Sequence, residues 1–127
     1  MRKAVCIESP FKAATPDLLR RNIAYARLAV LDCLYRGEAP IASHLLLTQV
    51  LDDTDPAQRE MGISAGLIWQ ARADIVAFYV DLGMSGGMQA ALVAAETAGR
   101  ATEQRSIAGW QPLLDADADL SDVRFRW

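Results

Sequence analysis

The stretch "ADIVAFYVDLGMSGGMQAALVAAETAGR", residues 73–100, decides the fold. Its first part, Ala73 to Asp81, is a near-continuous apolar run that ends in a carboxylate. Such a run predicts a strand at the centre of a parallel sheet, where both faces are covered. A glycine-rich turn containing a serine follows. From Ser85 or Gly86 the alanine-rich segment predicts a helix that stops near Gly99. Strand, glycine turn and helix together are how an α/β protein often builds a small-molecule site.

The rest of the chain repeats the pattern. "KAVCIES", Lys3 to Ser9, is a short apolar run that predicts a buried first strand. In "TPDLLRRNIAYARLAVLDCLYRG", Thr15 is an N-cap, Pro16 suits the first helical position and Asp17 complements the helix dipole. Leu19, Ile23, Ala26, Val30 and Cys33 recur at helical spacing, and Gly37 is the expected stop. Residues Ala39 to Ala42 predict a second strand, and "TQVLDDTDP" a loop. Asp55-Pro56 opens the next helix, with Gln58 placed as in a capping box. Gly62 and Gly66 lie one turn apart on it. Each costs up to about 1 kcal/mol relative to alanine, so a close approach of backbone to strand or ligand is expected there. "ATEQRSI" predicts a weak closing strand.

Alternating strands and helices imply an α/β fold: a three-layer, flavodoxin/Rossmann-like, mostly parallel sheet of about four or five strands with helices on both faces. This domain is expected over residues 1–108. Residues 109–127 read as a tail, acidic and then aromatic. It is either a surface segment or one that docks Trp110, Phe125 and Trp127 on a neighbouring subunit.

Composition narrows the function. At 127 residues the chain is one domain in length, with a formal net charge of −3 and no basic stripe, so a duplex nucleic-acid partner is not expected. No apolar window reaches the length of a membrane span, and the run in "MRKAVCIESP" is too short for a signal peptide. A cytoplasmic protein is the expectation. Cys6 and Cys33 read as reduced core thiols, with a disulfide between them as the alternative; no spacing resembles a metal site, and no cofactor is implied.

In open parallel sheets ligands bind beyond the carboxyl ends of the strands. That rule selects Glu8, Ser9 and Pro10 after the first strand, Ser43 and His44 after the second, and Asp81 to Met88 after the third, all converging on one crevice. Ser85, Gly86, Gly87 and Met88 stand at a helix N-terminus, which either holds a phosphate or carboxylate or is only a tight turn. His44, the only histidine, is either a ligand contact or a satisfied structural group. Glu8 and Asp81 end apolar strands, where an unpaired carboxylate is costly; each either caps or pairs with a neighbour, or serves the ligand. Tyr25, on the first helix with Asn22 and Arg27, can reach the crevice. Asp52 and Asp53 with Arg59 read as a solvated loop.

The segments "VCIESPF", "RNIAYAR", "APIASHLL", "LDDTDPAQREMGISAG" and "ADIVAFYVDLGMSGGMQAALVAAETAGR" together resemble small nucleoside 2-deoxyribosyltransferase-like proteins of bacteria and phages, over about residues 3–107. The resemblance implies a flavodoxin-like fold, a nucleoside or nucleotide pocket, and homo-oligomers. Catalytic members carry a glutamate nucleophile three residues after a Gly-Met pair; after Gly87-Met88 this chain has Ala91 there. Related N-glycosidases use a strand tyrosine and a helix aspartate at the positions of Cys6 and Gly66. The expectation is therefore a nucleotide-binding protein that does not turn over its ligand, one that in a phage would sequester a nucleotide signal. The alternatives are an N-glycosidase or deoxyribosyltransferase that uses Glu8 or Asp81 as its carboxylate, and a scaffold protein with a vestigial pocket.

Overall fold

The structure, a computed structural model, describes residues 2–107. Four strands form one parallel sheet in the order β2-β1-β3-β4: β1 (Ala4–Glu8), β2 (Ala39–Ile41), β3 (Ile75–Tyr79) and β4 (Thr102–Arg105). Three longer helices pack around it: α1 (Pro16–Tyr35), α3 (Pro56–Arg72) and α4 (Gly86–Thr97). A single turn, α2 (Ser43–Leu46), follows β2. The expected α/β architecture with helices on both faces is what forms, and the strand order is the flavodoxin-like one, with its switch point between β1 and β3.

Side chains alternate across the sheet, and this alternation fixes where chemistry can sit. Val5 and Ile7 of β1 and Ile75, Ala77 and Tyr79 of β3 join Tyr25, Ala29 and Cys33 of α1 in one core cluster. Val76 and Phe78 pack on the other face against Met88, Ala91 and Ala95 of α4. Cys6 lies beside Val76 and Glu8 beside Phe78 in the register, so both project towards the α3/α4 layer. All five residues of β3 are buried, as its apolar run dictates.

The caps form as their residue types require. Thr15 accepts from Leu18 N, Asp55 from Ala57 N and Ser85 from Met88 N, and Pro16 and Pro56 occupy first helical positions. Three local expectations shift. Of the expected α1 stripe Ala26 and Cys33 are buried, whereas Leu19, Ile23 and Val30 are only partly so, because Tyr25 and Ala29 join Cys33 against the sheet instead. Gln58 makes no reciprocal capping box. It donates to the Asp55 carboxylate (3.1 Å) and accepts from Asp52 N (2.8 Å), fastening the preceding loop to α3. The second strand stops at Ile41, and part of the predicted loop coils into a 3-10 turn over Leu47–Gln49.

On the α1 face Arg105 is buried and grips both carboxylate oxygens of Glu38 at 2.6 and 2.8 Å, tying β4 to the α1–β2 connection. Cys6 and Cys33 are both buried and free. Helix α3 presents Met61, Ile63, Ile68 and Trp69 to solvent. Among the described residues no helix is long and apolar enough to cross a membrane. The expected tail, with Trp110, Phe125 and Trp127, lies outside the described residues.

Candidate functional site: a cavity beneath α3 and α4

A cavity of about 550 Å³ opens at the carboxyl ends of β1 and β3, in the α3/α4 layer. That volume is within the range of small-molecule sites. Small residues make the space: Gly62 and Gly66 on α3 face Ala90, Ala91 and Ala94 on α4. A Cβ on Gly66 would sit 2.8 Å from Ser43 Oγ, and one on Gly62 3.3 Å from Leu51 Cδ1, so α3 rests directly on α2 and its following turn. The wholly buried Gln70 fixes the separation of the helices. It donates to the Ala91 carbonyl of α4 (3.3 Å) and accepts from Arg100 (2.6 Å).

Polar groups enter this apolar space from few directions. Glu8, half-buried at the end of β1, lines the cavity and has neither hydrogen bond nor ion pair among the described residues. Loss of water raises its carboxyl from the usual 4.5 to about 7. Next to it the buried Ser9 hydroxyl lies 2.7 Å from His44 Nε2. Desolvation lowers the His44 imidazole to about 4, so the ring is neutral at physiological pH, and Phe11 packs against it edge-on. Asp53 and Arg59 form an ion pair at 2.7 Å on the cavity wall, and Lys12 stands exposed at the rim. At the head of α4, Ser85 Oγ is committed to Met88 N, while the amides of Gly86 and Gly87 have no partner among the described residues. They lie in the first helical turn, at the positive end of the helix dipole.

Most of the residues expected from strand ends do meet here: Glu8, Ser9, Ser43, His44, Ser85, Gly86, Gly87 and Met88 all line the cavity. Asp81 does not. Its carboxylate accepts from Tyr25 OH (2.5 Å) and from Ile107 N (2.9 Å), and its own amide donates to Tyr25 OH (2.9 Å). The chain leaves β3 so that Asp81 locks α1 to the segment after β4, and the same bonds keep the fully buried Tyr25 out of the crevice. Pro10 is buried but does not line the cavity either. Asn22 turns its amide to the Phe11 carbonyl (3.0 Å). Contributions less legible in the sequence are Lys12, the Asp53–Arg59 pair, read as a solvated loop, and the Ser9–His44 contact. The two glycines were the available signal, since a costly helical glycine needs a reason. Among the described residues no three His, Cys, Asp or Glu side chains come together as a metal site.

Fold and cavity define a flavodoxin-like α/β protein with a ligand-sized, mostly apolar site at its switch point. Over residues 3–105 the chain matches the model of a domain of unknown function, DUF7768, and it belongs to that family. No curated protein matches the sequence.

Proposed function

We propose that the protein binds a nucleoside- or nucleotide-type ligand in the α3/α4 cavity, anionic group outward, and releases it unchanged. The observation that carries this reading is the pairing of an apolar, small-residue floor with donors at the rim. Gly86 and Gly87 offer free amides, and Lys12 adds positive charge to the same cavity. The resemblance to deoxyribosyltransferase-like proteins points to the same ligand class. Ala91 supports binding without turnover, because a methyl group can neither attack an anomeric carbon nor stabilise an oxocarbenium-like centre. Sequestration of a nucleotide signal, as in a phage protein, is the role such binding serves. A cytoplasmic protein fits that ligand, and the exposed apolar residues of α3 support a homo-oligomer.

One observation favours a second reading, N-glycosidic bond cleavage. Glu8 is an unpartnered carboxyl poised near neutrality in a cavity, as a general acid or base would be. Thermal unfolding against nucleosides, mono- and triphosphates, cyclic dinucleotides and ADP-ribose derivatives, each mixture then separated by chromatography, decides between them. A ligand at a hundred times its Kd adds about 2.7 kcal/mol. Stabilisation with intact ligand supports binding. Released base supports the enzyme reading, with Glu8 carrying it. Stabilisation by no compound overturns both and leaves a scaffold with a vestigial pocket. Ser85→Asp should weaken any anionic ligand by repulsion at the α4 N-terminus; unchanged affinity refutes the placement of the anion there.

A further inference from the structure

We infer that Glu8 is the specificity-determining group of the cavity and selects a base with two adjacent N–H donors, the edge a guanine presents through its ring N–H and neighbouring amino group. The inference rests on the nucleotide-binding reading above and adds to it the identity of the base and the residue that reads it.

Every charged or titratable group facing the Glu8 carboxylate is committed or distant. Arg59 is paired with Asp53, and Lys12 is exposed at the rim. His44 is neutral and bonded to Ser9. Cys6, on the same face of β1, is pushed up to about 12 and stays a thiol, and Arg100 is engaged by Gln70. Among the described residues nothing bonds the two Glu8 oxygens, which keep some exposure to the open cavity. A partly desolvated carboxylate with no protein partner is open to a ligand's donors, which would displace its remaining water. Two parallel N–H donors in one plane match a carboxylate best.

The charge layout excludes the opposite placement. A phosphate beside Glu8 would meet like charge, whereas Lys12 and the Gly86 and Gly87 amides, which also line the cavity, have no partner among the described residues. The ligand therefore lies with its anion outward and its donor edge at the floor. The lining also includes Gly62, Gly66, Met88 and Ala91, apolar surface that suits the faces of a base better than the hydroxyls of a sugar.

Calorimetric titration with GMP, IMP, AMP and dGMP tests this, using the wild-type chain and Glu8→Gln at pH 8 and pH 6. IMP lacks the amino group, AMP presents a different edge, and dGMP lacks the 2′-hydroxyl. GMP and dGMP should bind alike, each at least tenfold tighter than IMP and AMP, and Glu8→Gln should erase the difference. With a free carboxyl near pH 7, wild-type affinity for GMP should fall about tenfold more between pH 8 and pH 6 than that of the variant, in which the ligand phosphate titrates equally. Neither His44, near 4, nor Cys6, near 12, titrates in that window. Equal binding of GMP and IMP overturns the inference but keeps the nucleotide-binding reading. So does a preference that survives in Glu8→Gln, or a loss seen with dGMP in place of IMP. Binding of none of the four overturns the inference, and the wider ligand panel then decides the reading beneath it.

Discussion

Glu8→Gln should make the empty protein more stable, and the gain should depend on pH. In the unfolded chain the carboxyl ionises near 4.5; in the folded chain, stripped of water, it ionises near 7. Between those values the native state holds a proton that the unfolded state has lost, so stability falls as pH rises through the window. Above pH 7 the penalty is fully developed. One pK unit corresponds to about 1.36 kcal/mol, which sets a ceiling of about 3 kcal/mol for this shift. Glutamine carries no charge but brings an amide that also lacks a built partner, at a cost of about 1 kcal/mol or more. The net gain at pH 8 should therefore lie between about 1 and 2 kcal/mol. At pH 4.5, where the folded carboxyl is already neutral, it should vanish or reverse. Urea denaturation of both proteins from pH 4.5 to 8.5, with common m-values, reads this directly. A variant that is no more stable than wild type at pH 8, or a difference that does not change with pH, refutes the reasoning. Either result would mean that the carboxylate has a partner or remains hydrated.

Three further perturbations probe the frame around the cavity. His44→Gln should flatten the acid limb of the stability curve: the neutral imidazole must take up a proton on unfolding below about pH 6.5, so wild type loses stability as pH falls from there towards 4, opposite in sign to the Glu8 effect, and identical acid limbs in urea titrations refute this. Glu38→Gln should cost about 3 kcal/mol at pH 7, because it leaves buried Arg105 with only the half-exposed Glu103 as a carboxylate partner. Arg105 holds the Glu38 carboxyl below its usual range, so this contribution is present above about pH 4.5 and lost as pH falls through the folded value; a chemical-denaturation difference under 1 kcal/mol would show the pair to be dispensable. Gly66→Ala should be less stable than the double variant Gly66→Ala/Ser43→Ala, in which the added methyl no longer meets Ser43 Oγ and the helix-propensity gain of up to about 1 kcal/mol is released; equal melting temperatures refute the contact.

The sequence made the frame legible because its signals were local and redundant. Proline after a capping side chain marked the starts of α1 and α3, and Ala73 to Asp81 had only one plausible place, the sheet centre. The strand-end rule then gathered eight of the ten predicted site residues into one cavity. Asp81 escaped the rule because position along the chain does not say which face a residue leaves a strand on, and here Tyr25 and the Ile107 amide captured it. The Asp53–Arg59 pair reads as loop charge in one dimension, and only the fold of the chain before α3 turns it onto the cavity wall.

Cys6, Gly66 and Ala91 are the positions at which the resemblance would place reactive side chains, and all three are small here. Gly66 and Ala91 open directly onto the cavity, and Cys6 shares the strand face of Glu8. The small Gly66 and Ala91 widen the cavity, and among the described residues that line it Glu8 is the one carboxylate without a partner, Asp53 being held by Arg59. A second carboxylate on α4 would raise the cost of ionising Glu8, since like charges in one cavity disfavour each other. Ala91 removes that conflict and leaves Glu8 able to ionise near neutrality when a ligand supplies donors. A glutamate introduced at position 91 therefore tests how the two sites relate. Ala91→Glu should push the Glu8 carboxyl further up and make ligand affinity fall more steeply between pH 8 and pH 6 than in the wild-type chain. A pH dependence identical to that of the wild-type chain would show that position 91 does not communicate with Glu8, and that its alanine serves only to make space.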